Sequence, residues 1–107
     1  MRYWAITCKR LPATAMALFP FMLFKRAALK KEPLLINHEK IHFYQQLELL
    51  VLPFYVLYLI NYIINLIRFK DYSRAYFNIC FEKEAYANDR NINYLKKRRP
   101  YSWLQFL

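Results

Sequence analysis

The stretch "NHEKIH", Asn37 to His42, holds both histidines of the chain four residues apart, with Glu39 directly after the first. On a helix, side chains four apart lie one above the other, so His38 and His42 can aim two imidazoles at one ion. Glu39 sits one residue round from His38, close enough to hydrogen-bond a water on that ion without being a ligand. This is the logic of H-E-x-x-H: the metal lowers the pKa of the water and the carboxylate takes its proton. The five residues alone fit a solvated His/Glu/His patch on a helix surface equally well. A second half of the site is needed.

Catalytic zinc usually takes three protein ligands and keeps a fourth position for water. With both histidines used, the third ligand must be a carboxylate or a cysteine. Phe81 to Asp89, "FEKEAYAND", offers carboxylates. These two motifs, in this order, resemble those of the gluzincin metallopeptidases, in which H-E-x-x-H is followed by a glutamate on a later helix, often as E-x-E-A-D or E-x-E-A-N. The chain is also similar to a group of short bacterial proteins bearing N-H-E-x-I-H and F-E-x-E-A-Y, and the similarity covers Lys30 to Leu95. The resemblance implies that His38 and His42 bind zinc and that Glu39 is the catalytic general base.

For the third ligand two candidates stay open, Glu82 ahead and Glu84 as its alternative. The E-x-E-A register selects Glu82, yet the position four later, usually an acid or amide supporting a ligand histidine, is Tyr86. Glu84 has Asn88 four residues on, whose carbonyl can accept an imidazole N–H. Cys80 fits no ligand pattern and reads as a small buried apolar residue. Tyr86 or Tyr94 can supply the donor that a developing oxyanion needs, although most of the ten tyrosines must be packing or interface residues.

Several elements must position these groups. Two short extended runs open the chain, around Tyr3–Cys8 and Met16–Phe24, because threonine and aromatic content favours strands and Pro12 and Pro20 oppose a long helix. A helix is expected from Pro33, through both histidines, to Pro53. Leu49 to Ile67 is almost wholly apolar, close to the ~20 residues that cross a bilayer. "RFKDYSRAYFN" reads as a basic, aromatic connector, and "ICFEKEAYANDRNINYLKK" as one more helix capped by Asn78. No repeat or linker interrupts the chain. Residues 1–107 therefore read as one domain, mainly α (α+β): a compact zincin-like helical domain with a short N-terminal pair of strands and a long apolar central helix.

The two motifs constrain that apolar run. A straight span from Leu49 to Ile67 would put His42 and Glu82 on opposite sides of a bilayer ~30 Å thick, so a shared ion and a crossing cannot both hold. The return is feasible: Arg68 to Ile79, fully extended, reaches about 40 Å, against ~37 Å along a helix from His42 to Ile67. A non-crossing segment with an exposed apolar face is expected, lying on a membrane or against a second copy of the chain.

Composition agrees. The net charge is +10, from 17 Lys+Arg against 7 Asp+Glu, which implies an anionic partner. Cations recur beside apolar stretches: Lys25, Arg26, Lys30 and Lys31 after one, Arg68 and Lys70 after another, and "KKRR" before Tyr101, Trp103 and Phe106. That arrangement suits an anionic membrane interface. Nucleic acid is not an expected partner, since the apolar run is too long for a charged strip and no fold motif for it appears. The chain has no glycine, which excludes glycine-rich phosphate loops and dinucleotide fingerprints. Cys8 and Cys80 form no C-x-x-C, and two thiols in a reducing compartment are the commoner state for such a pair. The N-terminus does not read as a signal peptide, because the run Leu11 to Phe24 is broken by prolines and ends in Lys25-Arg26. The expectation is a small membrane-associated zinc metallopeptidase on the cytoplasmic side, acting on a peptide or protein substrate. Its alternative is a catalytically inactive zincin-like protein with a structural or regulatory role at the membrane.

Overall fold

Polar side chains fill much of the buried face of the first long helix, and the elements packed around it satisfy them. The computed structural model describes residues 2–107. That helix, α1 (Pro33–Leu49), begins with its proline in the first turn, where a backbone N–H has no intrahelical partner to lose. Its buried residues include Asn37, His38, Glu39, His42, Gln45 and Gln46 beside Ile41 and Phe43.

A small sheet covers one side of α1. Strands β1 (Trp4–Thr7), β2 (Ala15–Leu18) and β3 (Phe21–Phe24) lie in the order β1-β3-β2, with β3 parallel to β1 and antiparallel to β2. The expected pair of strands is therefore three. The Met16–Phe24 run folds at Phe19–Pro20 into a hairpin, since proline has no N–H with which to continue a ladder. Ala17, Met22 and Phe24 pack on Phe43 of α1. Gln46 pins the hairpin from beneath, accepting from Phe19 N–H at 2.8 Å and donating to Ala17 O at 2.9 Å.

Leu50 then breaks the helix, at φ 67°, and α2 (Val51–Phe69) begins. The expected helix to Pro53 thus ends four residues early. Pro53 falls in the first turn of α2, again where no N–H is needed. The expected connector after α2 contains a helix of its own, α3 (Tyr72–Phe77), because the Asp71 carboxylate caps it by accepting from Ser73 N–H at 3.0 Å. Helix α4 (Cys80–Asn88) follows and α5 (Tyr94–Lys97) comes after a turn, so the single helix expected over Ile79–Lys97 is two. Asparagines at 88, 91 and 93 favour that turn, and Asn37 of α1 holds it by donating to Asp89 O and Asn91 O at 2.8 and 3.1 Å.

Asn78 does not cap α4 as expected. It closes α3, with its side chain on Arg74 O, and the first N–H of α4, at Cys80, is taken by Asn61 of α2 at 2.9 Å. A 3-10 turn, Ser102–Phe106, ends the chain and packs Trp103 against Phe81. Phe54 of α2, Ile79, Cys80, Phe81 and Trp103 form the second core cluster. Cys8 and Cys80 are free thiols. The radius of gyration, 13.5 Å, is that of a close-packed chain of this length, ~13 Å. The chain turns back after α2, and α4 packs on α1. That return builds the site.

Candidate metal centre

His38 and His42 lie one turn apart on α1, and α4 brings Glu82 opposite both. Glu82 Oε1 stands 3.1 Å from His38 Nε2 and 3.1 Å from His42 Nε2. All three residues are buried, and their candidate donor atoms lie within 4.8 Å of one another. Two donors each ~2.0–2.1 Å from a tetrahedral zinc are about 3.3 Å apart. The two separations between Glu82 and the imidazoles, 3.1 Å each, are close to that spacing.

Hydrogen bonds behind the three donors decide which atoms face inward. Gln45 Nε2 donates to Phe81 O and to Glu84 Oε1, each at 3.0 Å. Its Oε1 must then be the atom 2.7 Å from His42 Nδ1, and that nitrogen must carry the proton. His38 Nδ1 stands 3.0 Å from the carboxylate Oδ2 of Asp89, so that nitrogen can be the one that carries the proton. Tyr58 Oη donates to Glu82 Oε2 at 2.5 Å, which leaves Oε1 for the histidines. Neutral imidazoles held this way turn two lone pairs toward a carboxylate oxygen. Three acceptors meeting in buried space require a cation, either a proton or a metal ion. The donor set fits a metal.

Without a metal, a proton meets that requirement. Burial pushes the Glu82 carboxyl up, but the charge of His42 and hydrogen bonding with the two imidazoles outweigh it and hold it far below its ordinary value. Burial likewise lowers His42, yet the Glu82 charge and hydrogen bond raise it from 6.5 to about 9. For Glu39 burial wins over the opposing charges of His42 and His38, and its carboxyl is raised. A carboxylate shifted towards neutrality is better suited to proton transfer.

Glu39 forms a shared wall of two clefts. The narrower, about 330 Å³, also reaches His42, Tyr58, Tyr76 and Glu82. The wider, about 1120 Å³, reaches His38, Tyr76, Tyr86 and Asp89. Pro12, Ala13 and Ala15 border both.

The structure brings together His38, Glu39, His42 and Glu82, and it leaves Glu84 out. Glu84 points from the other side of α4 to Arg98, whose Nε and Nη2 donate at 2.5 and 3.0 Å, and to Tyr94 Oη at 2.7 Å. Asn88 offers no imidazole an acceptor: its amide donates to Glu84 O at 2.8 Å. Tyr94, bound to Glu84, is far from the oxyanion role considered for it. Tyr86 lies edge-on to the His38 ring, with centroids 4.4 Å apart, and its hydroxyl pairs with that of Tyr76 at 2.9 Å.

Sequence reasoning missed Gln45, Tyr58, Asp89 and Arg98. Two of them carried a signal. Gln45 follows His42 by three and shares its face, and Asp89 follows Glu82 by seven, two turns along. Tyr58 lies within the apolar run and Arg98 within a run of cations, where nothing sets them apart. No protein-family model, curated protein or solved structure matches the chain.

Proposed function

We propose that the chain is a zinc-dependent hydrolase of peptide bonds with Glu39 as its general base. One observation carries this reading: His38 Nε2, His42 Nε2 and Glu82 Oε1 converge as acceptors in a buried space beside Glu39. The likeness of the two motifs to the gluzincin pattern supports it. A dication held by His38, His42 and Glu82 would lower the pKa of a water and polarise a carbonyl. Glu39 takes the water's proton and passes it to the leaving amine nitrogen. Tyr76 or Tyr86, whose hydroxyls pair at the wider cleft, donates to the carbonyl oxygen as it gains charge. Strand β2 lies at the sheet edge, and Ala15 borders both clefts, so an extended peptide has a strand to pair with beside Glu39.

Elemental analysis of the purified protein is expected to find one zinc per chain. Glu39→Gln is expected to keep that zinc and lose ~10²–10⁴-fold in hydrolysis of a peptide library. Protein without stoichiometric metal, or hydrolysis undiminished in the variant, would overturn the reading. The burial of Glu39, only 5% exposed, favours a second reading in which the metal is held and turnover is absent. Stoichiometric zinc with no cleavage of any library peptide would select that one.

A further inference from the structure

Helix α2 is amphipathic in the inverse sense. Its polar residues point inward: Asn61 accepts from Cys80 N–H, Asn65 donates to Ala75 O, and Tyr58 donates to Glu82. Its outward face is aliphatic. Leu52, Val56, Leu59, Ile60, Ile63 and Ile67 are each 48–75% exposed, and they share roughly 100° of the helix circumference. A water-facing helix shows the opposite order. Of its 19 residues only Phe54 and Asn65 are buried.

We infer that this face docks on an anionic lipid bilayer, with α2 lying in the plane of the interface. Charge selects lipid over a second copy. The chain carries +10, so two copies joined face to face would repel, whereas an anionic surface attracts each. The C-terminal end of α2 is ringed by exposed cations: Arg68 and Arg74 stack on the Phe69 ring at 5.2 and 4.6 Å, and Lys70 lies beside them. No acidic residue lies on α2. An aliphatic face flanked by cations is what an acidic interface retains.

The helix is long and apolar enough to cross a bilayer by length and composition, but its attachments oppose a crossing. Asn61, near its midpoint, bonds the first residue of α4, and Glu82 and Lys83 lie within the next turn. A crossing would carry that acid and that cation to mid-bilayer depth, where ionisable groups are costly. Lying flat, α2 gives the lipid its aliphatic face alone.

Sedimentation of the full chain with vesicles tests this. The protein is expected to pellet with phosphatidylcholine vesicles containing phosphatidylglycerol and to bind phosphatidylcholine alone at least ~10-fold more weakly. Leu59→Glu combined with Ile63→Glu should lower binding to the mixed vesicles by roughly 100-fold, with the circular dichroism of the wild type retained. Arg68→Gln, Lys70→Gln and Arg74→Gln together should remove the preference for phosphatidylglycerol. Wild type left in the supernatant, or double-variant binding equal to wild type, would overturn the proposal. So would a concentration-dependent dimer lost in the double variant without vesicle binding, which would give the face to a second copy. Resistance of the bound protein to alkaline carbonate would overturn the in-plane seating.

Discussion

Glu82 and Glu84 stand two residues apart on one short helix, both buried, and they meet opposite surroundings. Glu84 is 0% exposed and faces a guanidinium that belongs to the chain: Arg98 bonds it twice and bonds Glu48 twice more, at 2.8 and 3.0 Å. That cluster supplies its own cation. Glu82 faces two imidazoles whose protons are already directed outward, to Asp89 and to Gln45. Its cluster has no such built-in partner and could hold a metal ion. Two carboxylates of the same type and burial therefore serve different ends. Glu84 ties the C-terminal segment to α1 and α4, and Glu82 makes the candidate centre.

The strongest way to break this comparison is to exchange the phenotypes. Glu82→Ala is expected to abolish stoichiometric metal binding. Glu84→Ala is expected to keep one metal per chain and to lose about 3–5 kcal/mol of stability, because it leaves Arg98 buried and only half paired. Elemental analysis beside chemical denaturation reads both. Metal lost from the Glu84 variant and kept by the Glu82 variant would reverse the assignment.

A pH titration sharpens the contrast. In the metal-free protein His42 is raised from 6.5 to about 9. A raised histidine contributes stability that is complete below its unfolded value and is lost as pH rises through its folded one. Denaturation midpoints of the metal-free protein should therefore fall between pH 6.5 and about 9. Those of the zinc-loaded protein should stay flat over that range, since the metal replaces the proton. Equal slopes in the two forms would mean that proton and metal do not compete for one place.

The smallest expected effect lies at the residue that touches both clusters. Gln45 bonds His42 through one end of its amide and Glu84 through the other. Gln45→Leu should weaken zinc binding by ~10–100-fold while one metal per chain still binds at saturation. Competition with a chromogenic chelator measures this, and an unchanged affinity would show that Gln45 does not orient His42.

Much of the candidate centre was legible from spacing. Residues four apart on a helix share a face, so His38 and His42 had to converge once α1 formed, and Glu39 had to lie beside them. Proline punctuation likewise announced the strands and the start of α1, though Phe19–Pro20 made a hairpin where one extended run was expected. The choice of Glu82 over Glu84 was legible only as a slight preference. Motif register favoured one and the nearby amide favoured the other, and both arguments were local. The roles of Asn78 and Asn61 were hidden for the same reason. A cap can come from another helix, and nothing near Asn78 showed that α2 would supply one.

The amino-acid order by itself determined what depends on neighbours along the chain: helix faces, turn positions, the aliphatic stripe of α2 and the excess of positive charge. Only the tertiary structure decided which carboxylate meets the imidazoles and which meets Arg98. That outcome rests on the return of the chain after α2, which turns one side of α4 toward His38 and His42 and the other toward the C-terminal segment. Bringing groups 40 or more residues apart within 3.1 Å is a property of packing, because sequence spacing fixes direction only within a single element.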